Sequence, residues 1–157
     1  MDILDTILTN TYTIHDLRHR ARILKSHLEN KLFAQGSNEN LPAEDIAWLD
    51  SLGDDFLKYF TKENLYSTFK DLQEKVDKIT PLIIYLSFEV DIAQIEGISQ
   101  WIRKNLANKL IFEIKYDPAI IGGAAFTYKG VYRDYSLRSK IQQNSEIILT
   151  EFKKYIR

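Results

Sequence analysis

His15 and His19 stand four residues apart in a stretch of helical periodicity, the spacing at which two imidazoles can share a metal ion. A metal site needs a third ligand, and neither an HExxH pattern nor a cysteine supplies one. The pair reads as a solvated helix flank, about 100° of rotation from the apolar stripe, and no metal is expected. Gly122–Gly123 is the other pattern with chemical potential. A phosphate loop needs GxxxxGK[S/T], and a dinucleotide loop needs GxGxxG ahead of a helix; neither is present, and these glycines precede a strand pattern. No cofactor is expected. The paired acids Glu44–Asp45 and Asp54–Asp55 are adjacent on helical stretches and diverge by about 100°, so they do not converge on one substrate. Asp117 and Asp134 fall at the same end of a predicted sheet, with no nucleophile or histidine predicted beside them. No catalytic constellation emerges, and no catalytic residue is expected.

Two further clusters suit recognition better than reaction. Arg18, Arg20, Arg22 and Lys25, with Tyr12 nearby, form either a solvated helix surface or a nucleic-acid-binding face. Tyr116, Tyr128, Tyr132 and Tyr135 gather around a predicted hairpin, where they either anchor an interface or line a core edge. The strand aromatics do not match the RRM signature, and no GxxG clamp is present.

The elements that carry these residues follow from apolar spacing. Ile14, Leu17, Ala21, Leu24 and Leu28 define one helix face, with Thr13 and Asp16 placed as a capping pair. The polar stretch Ala34–Leu41 reads as a loop. Pro42 then opens a second predicted helix with Ile46, Leu49, Gly53, Phe56 and Phe60 inward. Thr61 caps a third, carrying Leu65, Phe69, Leu72, Val76 and Ile79. At Pro81 the period falls from 3.6 to 2, and Leu82 to Val90 alternate as a strand. Asp91 and Gln94 cap an amphipathic helix bearing Ile92, Ile95, Ile98, Ile102 and Leu106. Leu110 to Tyr116 and Ala124 to Tyr128 alternate again, with Lys129–Gly130 turning the chain before Val131 and Tyr132. A last helix runs from Ser136 through Leu137, Ile141, Ile148, Phe152 and Tyr155.

The predicted class is α+β: a helical bundle over residues 1–80, then a small βαββα domain over 81–157 with a mixed three-stranded sheet. The β-α-β crossover favours a parallel pair, and the short second connection an antiparallel third strand.

Composition agrees with a folded chain. Of 157 residues, 45% are hydrophobic and 27% charged, with net charge −1, so no global field favours nucleic acid or acidic lipid. Residues 1–80 carry 10 Lys/Arg against 14 Asp/Glu, and residues 81–157 carry 11 against 8. Cysteine is absent, which removes disulfides and thiolate chemistry. The opening MDILDTILTN has no basic region and does not read as a secretory signal. No apolar run approaches the ~18 residues of a membrane span.

The most informative stretch is Asp117–Ile141, DPAIIGGAAFTYKGVYRDYSLRSKI. Proline biases Asp117 away from helical angles, so the strand must bend there. Gly122 and Gly123 permit a bulge or a close crossing. Asp134 and Ser136 stand where the last helix begins, and both can accept bonds from its free amides.

This stretch resembles the signature of the ATP synthase delta subunit, known in mitochondria as the oligomycin-sensitivity-conferring protein. That family carries Asp-Pro-x-aliphatic-aliphatic-Gly-Gly, a hairpin, and Asp-x-Ser-x-Arg followed by an aliphatic residue. The matching positions are Asp117, Pro118, Ile120, Ile121, Gly122, Gly123, Asp134, Ser136, Arg138 and Ile141. With the preceding strand and helix, the likeness covers about residues 81–145.

The resemblance implies a non-catalytic stator protein. It implies an amino-terminal bundle that holds amino-terminal segments of the alpha subunits, and a carboxy-terminal part that engages the end of the b-type peripheral stalk. It implies a place at the cytoplasmic face of a bacterial membrane, reached only through partners, and no nucleic-acid partner. The family's amino-terminal bundle has six helices, against the three or four read here before Pro81. The E subunit of vacuolar-type ATPases and the flagellar export stator share a related Gly-Gly pattern, but a long charged coiled coil precedes theirs. A small nucleic-acid-binding module using the basic first helix is the alternative from another class.

Overall fold

The computed structural model describes residues 2–33 and 41–156. The predicted loop over 34–41 lies outside the described residues except for Leu41, and nothing is described of the Ile92 side chain. The chain forms two compact units, Met1–Ile79 and Thr80–Arg157.

The first unit begins with a short helix that the apolar spacing does not announce. Asp2 accepts a bond from the Leu4 amide (3.2 Å) and opens α1, Ile3–Leu8. Thr13 accepts from Asp16 N (3.1 Å) and starts α2, Ile14–Phe33. The expected face of α2 is core: Ile14, Leu17, Leu24 and Leu28 are buried, and Ile23 joins them.

The second predicted helix is instead two, α3 (Ala43–Ser51) and α4 (Asp54–Lys58). Gly53 causes the break, because its φ of +76° lies in the left-handed region that ends a right-handed helix. The break also corrects the inner face: Trp48, Leu49, Phe56 and Phe60 are buried, whereas Ile46 is exposed. Thr61 and Asn64 exchange side-chain bonds with each other's amides (2.8 and 3.3 Å) and lead into α5, Leu65–Asp77. Leu65, Phe69, Leu72 and Val76 point inward. Five helices are therefore present among the described residues of this unit, against the three or four expected.

The second unit is a mixed sheet with helices. Its strands are β1 (Leu82–Leu86), β2 (Phe112–Tyr116), β3 (Ala124–Tyr128) and β4 (Val131–Asp134). Their order is β2-β1-β3-β4. β1 and β2 are parallel, with Leu82 opposite Phe112, while β3 runs antiparallel to β1 with Ile84 opposite Phe126. The sheet has four strands and not three, since Val131–Asp134 folds back on β3 with Tyr128 opposite Val131. Lys129 and Gly130, at φ 49° and 78°, make the tight reversal that turns a predicted extension into a separate edge strand.

β1 also stops at Leu86, short of the expected Val90, and Phe88 is exposed. Between β1 and β2 runs α6, Ile92–Asn105, opened by a full capping box: Asp91 accepts from Gln94 N (2.8 Å) and Gln94 from Asp91 N (3.0 Å). The single predicted last helix is two, α7 (Leu137–Gln143) and α8 (Ser145–Tyr155), broken at Asn144. Its expected inward positions Leu137, Ile141, Phe152 and Tyr155 are exposed.

Candidate interaction surface

The Asp117–Ile141 stretch closes one end of the sheet. Asp117 N donates to Leu86 O (2.8 Å), and the Asp117 carboxylate accepts from Ala119 N (2.9 Å). This turns the chain through Pro118 and buries Ile120, while Ile121 faces outward. Gly122 and Gly123 both have positive φ, +64° and +84°. Gly122 O accepts from Leu137 N (2.9 Å), and Ala124 O from Tyr135 N (3.0 Å). A Cβ on Gly123 would stand 2.7 Å from the Tyr135 carbonyl oxygen, so only glycine admits this crossing without a shift.

Ser136 is buried and accepts from Ser139 N (3.1 Å), capping α7. Asp134 accepts from Ser136 N (2.8 Å), one step ahead of the cap. The Ser136 hydroxyl and then its amide hold the Asp134 carboxyl below its ordinary value, with a smaller contribution from the Arg138 charge. Surrounding protein, and then the charges of Asp134 and Asp117, push the Tyr132 hydroxyl up. The stretch thus brings together Asp117, Gly122, Gly123, Asp134 and Ser136. Arg138 and Ile141 remain exposed on α7.

Beside this junction lies an open groove of about 960 Å³ between α6 and one face of the sheet. Side-chain alternation fixes its floor: Leu82, Ile84 and Leu86 from β1, Phe126 from β3, and Val131 from β4 share one face. α6 supplies Ile98, Trp101 and Ile102, and Tyr128 and Tyr135 close the hairpin side. Trp101 is 60% exposed, and Leu106, Val131 and Tyr135 are exposed as well. Among the described residues, the charged groups lining the groove are two cations, Lys129 and Arg133.

The predicted tyrosine cluster therefore divides. Tyr128 and Tyr135 line the groove, while Tyr132 lies on the opposite face against Tyr85, with ring centroids 6.2 Å apart. Sequence reasoning passed over Trp101 and Arg133. A tryptophan beside Ile98 and Ile102 on an amphipathic helix was the available signal.

In the first unit the basic cluster is partly engaged. Arg20 donates to Asn10 O and to Thr11 Oγ1 (3.0 Å) and lies over the Trp48 ring at 5.2 Å. His19 Nε2 meets Asp45 at 2.9 Å, and Arg22 meets His19 Nδ1 at 3.2 Å. His15 is exposed. Among the described residues no three His, Cys, Asp or Glu side chains stand close enough to hold a metal ion. Arg18, Arg22, Lys25 and Lys70 rim a groove of about 600 Å³ floored by Ala21, Phe69 and Leu72 between α2 and α5.

Comparison with known proteins bears on what these surfaces serve. The family model described as "ATP synthase delta (OSCP) subunit" matches residues 60–148. The chain is 28% identical over 104 residues to the ATP synthase subunit delta of Persephonella marina (strain DSM 14350 / EX-H1), covering 62% of this chain and 57% of that protein. It is 21% identical over 80 residues to the ATP synthase subunit delta of Dichelobacter nodosus (strain VCS1703A), covering 51% and 44%. The chain thus matches about half the length of these relatives. Because the family model spans more than half of the chain, the protein belongs to the ATP synthase delta (OSCP) subunit family, whose members are non-catalytic.

Proposed function

We propose that the chain is a stator component that links the catalytic head of a rotary F-type ATP synthase to its peripheral stalk. The single observation that carries this reading is the apolar groove of the second unit, whose aromatic rim stays exposed. An interface of this composition, aromatic and aliphatic with a cationic edge, suits an apolar helix face flanked by acids. The end of the b-type stalk is its proposed occupant. In this reading Asp117, Pro118, Ile120, Ile121, Gly122 and Gly123 shape the hairpin. Asp134, Ser136, Arg138 and Ile141 set α7 beside it, with Arg138 exposed to the stalk.

The α2–α5 groove, apolar in its floor and with four cations and Glu74 at its rim, is the proposed seat for amino-terminal segments of the alpha subunits. No helix among the described residues is long and apolar enough to cross a membrane. Attachment to the cytoplasmic face of a bacterial membrane would then run through these partners. A nucleic-acid role for α2 is disfavoured, since Arg20 is engaged internally.

The test is affinity purification of the tagged chain from gently solubilised native membranes. Alpha, beta and b-type subunits should come with it in stable proportion. Trp101→Ala should reduce b-type recovery about tenfold or more, the loss typical of an aromatic anchor. Recovery of RNA or unrelated proteins alone would overturn the reading.

A further inference from the structure

His19 stands between two groups of fixed hydrogen-bonding character. Its Nε2 lies 2.9 Å from the Asp45 carboxylate of α3, and its Nδ1 lies 3.2 Å from the Arg22 guanidinium one turn further along α2. An arginine only donates, and a carboxylate only accepts. Nδ1 is therefore the bare acceptor, and Nε2 carries the hydrogen that is donated to Asp45. The ring is held as a neutral imidazole in one tautomer and one orientation. The Asp45 side chain is 14% exposed and that of His19 35%, so the inner bond of this relay is shielded and the outer one is open to water.

Arg22 matters because of where it lies. It lines a pocket of about 250 Å³ with His15, Arg18 and His19, and it also rims the α2–α5 groove. Among the described residues, His19 is its one hydrogen-bond partner. Four titratable or charged groups on α2 stand within about one turn of the imidazole: His15, Asp16, Arg18 and Arg22. α3 brings Asp45 against it, with Glu44 adjacent. α5 brings Lys70 and Glu74 to the groove that Arg22 rims.

We propose that His19 is a proton-operated latch on Arg22, holding the guanidinium on the α2 flank when neutral and releasing it to the α2–α5 groove when protonated. A proton taken from solvent goes to Nδ1, which leaves the ring two donors and no acceptor. The bond from Arg22 is lost, and two like charges then face each other. The bond to Asp45 persists and becomes an ion pair, so the ring stays in place and Arg22 moves. Imidazole is the side chain whose charge changes in the physiological pH range. In acid the groove rim gains the His19 charge and the guanidinium donors that Nδ1 had occupied. A partner segment that carries carboxylates then binds more tightly. This last step rests on the reading of the groove as a docking seat, and the latch itself does not.

The latch is tested on the free full-length chain by NMR between about pH 8 and about pH 5.5. At the upper pH, imidazole nitrogen shifts should show His19 protonated at Nε2 alone. Arg22 side-chain order, from relaxation at Cδ, should exceed that of Arg18, which has no hydrogen bond or ion pair among the described residues. In acid it should fall to the Arg18 level in step with His19 titration. His19→Gln, whose amide can accept from Arg22 and donate to Asp45 at every pH, should keep Arg22 ordered throughout. His15→Gln should leave the response intact. The latch is overturned if Nδ1 carries the hydrogen at the upper pH, if Arg22 order does not change with pH, or if His19→Gln responds as the native chain does. The groove is tested separately by recovery of alpha subunits with the tagged chain from solubilised native membranes. Recovery should rise about two- to fivefold in acid, the range of one exposed charge contact, and lose that dependence in Arg22→Gln. A working latch with recovery indifferent to pH would overturn the docking seat and leave the latch standing.

Discussion

An alanine at Gly123 places its Cβ 2.7 Å from the Tyr135 carbonyl oxygen on a backbone at φ +84°. Backbone cannot move aside as a flexible side chain would, so Gly123→Ala should destabilise by about 3 kcal/mol in urea unfolding. Gly97 in α6 has ordinary angles and nothing within 4 Å of the added atom, and Gly97→Ala should stabilise by about 0.5–1 kcal/mol. Ser136→Ala removes the α7 cap and should cost about 1 kcal/mol. Asp134 adds a pH dependence. Its folded pKa is lowered from 3.8, so its contribution is present above 3.8 and is lost as pH falls through the folded value. Asp134→Asn should therefore flatten the acid limb of stability below that point, as read by circular dichroism. At this scale the residue types were legible: glycines and a capping serine declare their roles in sequence. The contact that makes Gly123 necessary was not, because Tyr135 lies twelve positions away and reaches it only when the hairpin closes.

Elements are decided by where backbone bonds find partners. The apolar period ran unbroken from Ile46 to Phe60, yet α3 and α4 part at Gly53, whose left-handed angle spacing alone does not report. Open space surrounds the missing Cβ at Gly53. Gly53→Ala should thus cost only about 1 kcal/mol, from backbone strain without a clash, and thermal melting would distinguish it from Gly123→Ala. The β-strands show the same limit. β1 was expected to run to Val90, but it ends at Leu86, whose carbonyl accepts from Asp117 N and which is the last residue paired with β2 and β3. Beyond that point alternation has no neighbour to pair with. β4 shows the converse, with four exposed residues that hold a strand only because β3 offers an edge. The capping box of α6 was legible because it is local: both bonds span three residues.

Across the molecule, each unit has its own buried core, around Leu17, Leu24, Leu65 and Val76 in one and Ile84, Ile102, Phe112 and Ala125 in the other. We expect the segments 1–80 and 81–157 to unfold as separate transitions. Leu24 is fully buried, and Leu24→Ala should cost about 2–5 kcal/mol. The chain has two tryptophans, one in each unit, Trp48 and Trp101. The loss should appear in the Trp48 transition while amide exchange in β1 and β3 keeps its native protection. A single transition displaced as a whole would refute the separation.

The sequence by itself determined the mixed helical and stranded class, the change of period at Pro81, the caps at Asp91 and Ser136, and the family signature from Asp117 to Ile141. All of these rest on interactions within a few residues or on residue identity. Only the tertiary structure decided the fourth strand, the breaks at Gly53 and Asn144, the internal engagement of Arg20, and the groove that Trp101 lines together with Phe126 and Val131. Those depend on which distant backbone supplies a hydrogen-bond partner and which apolar face finds cover. Periodicity marks a face as apolar, but it does not say whether anything lies against it.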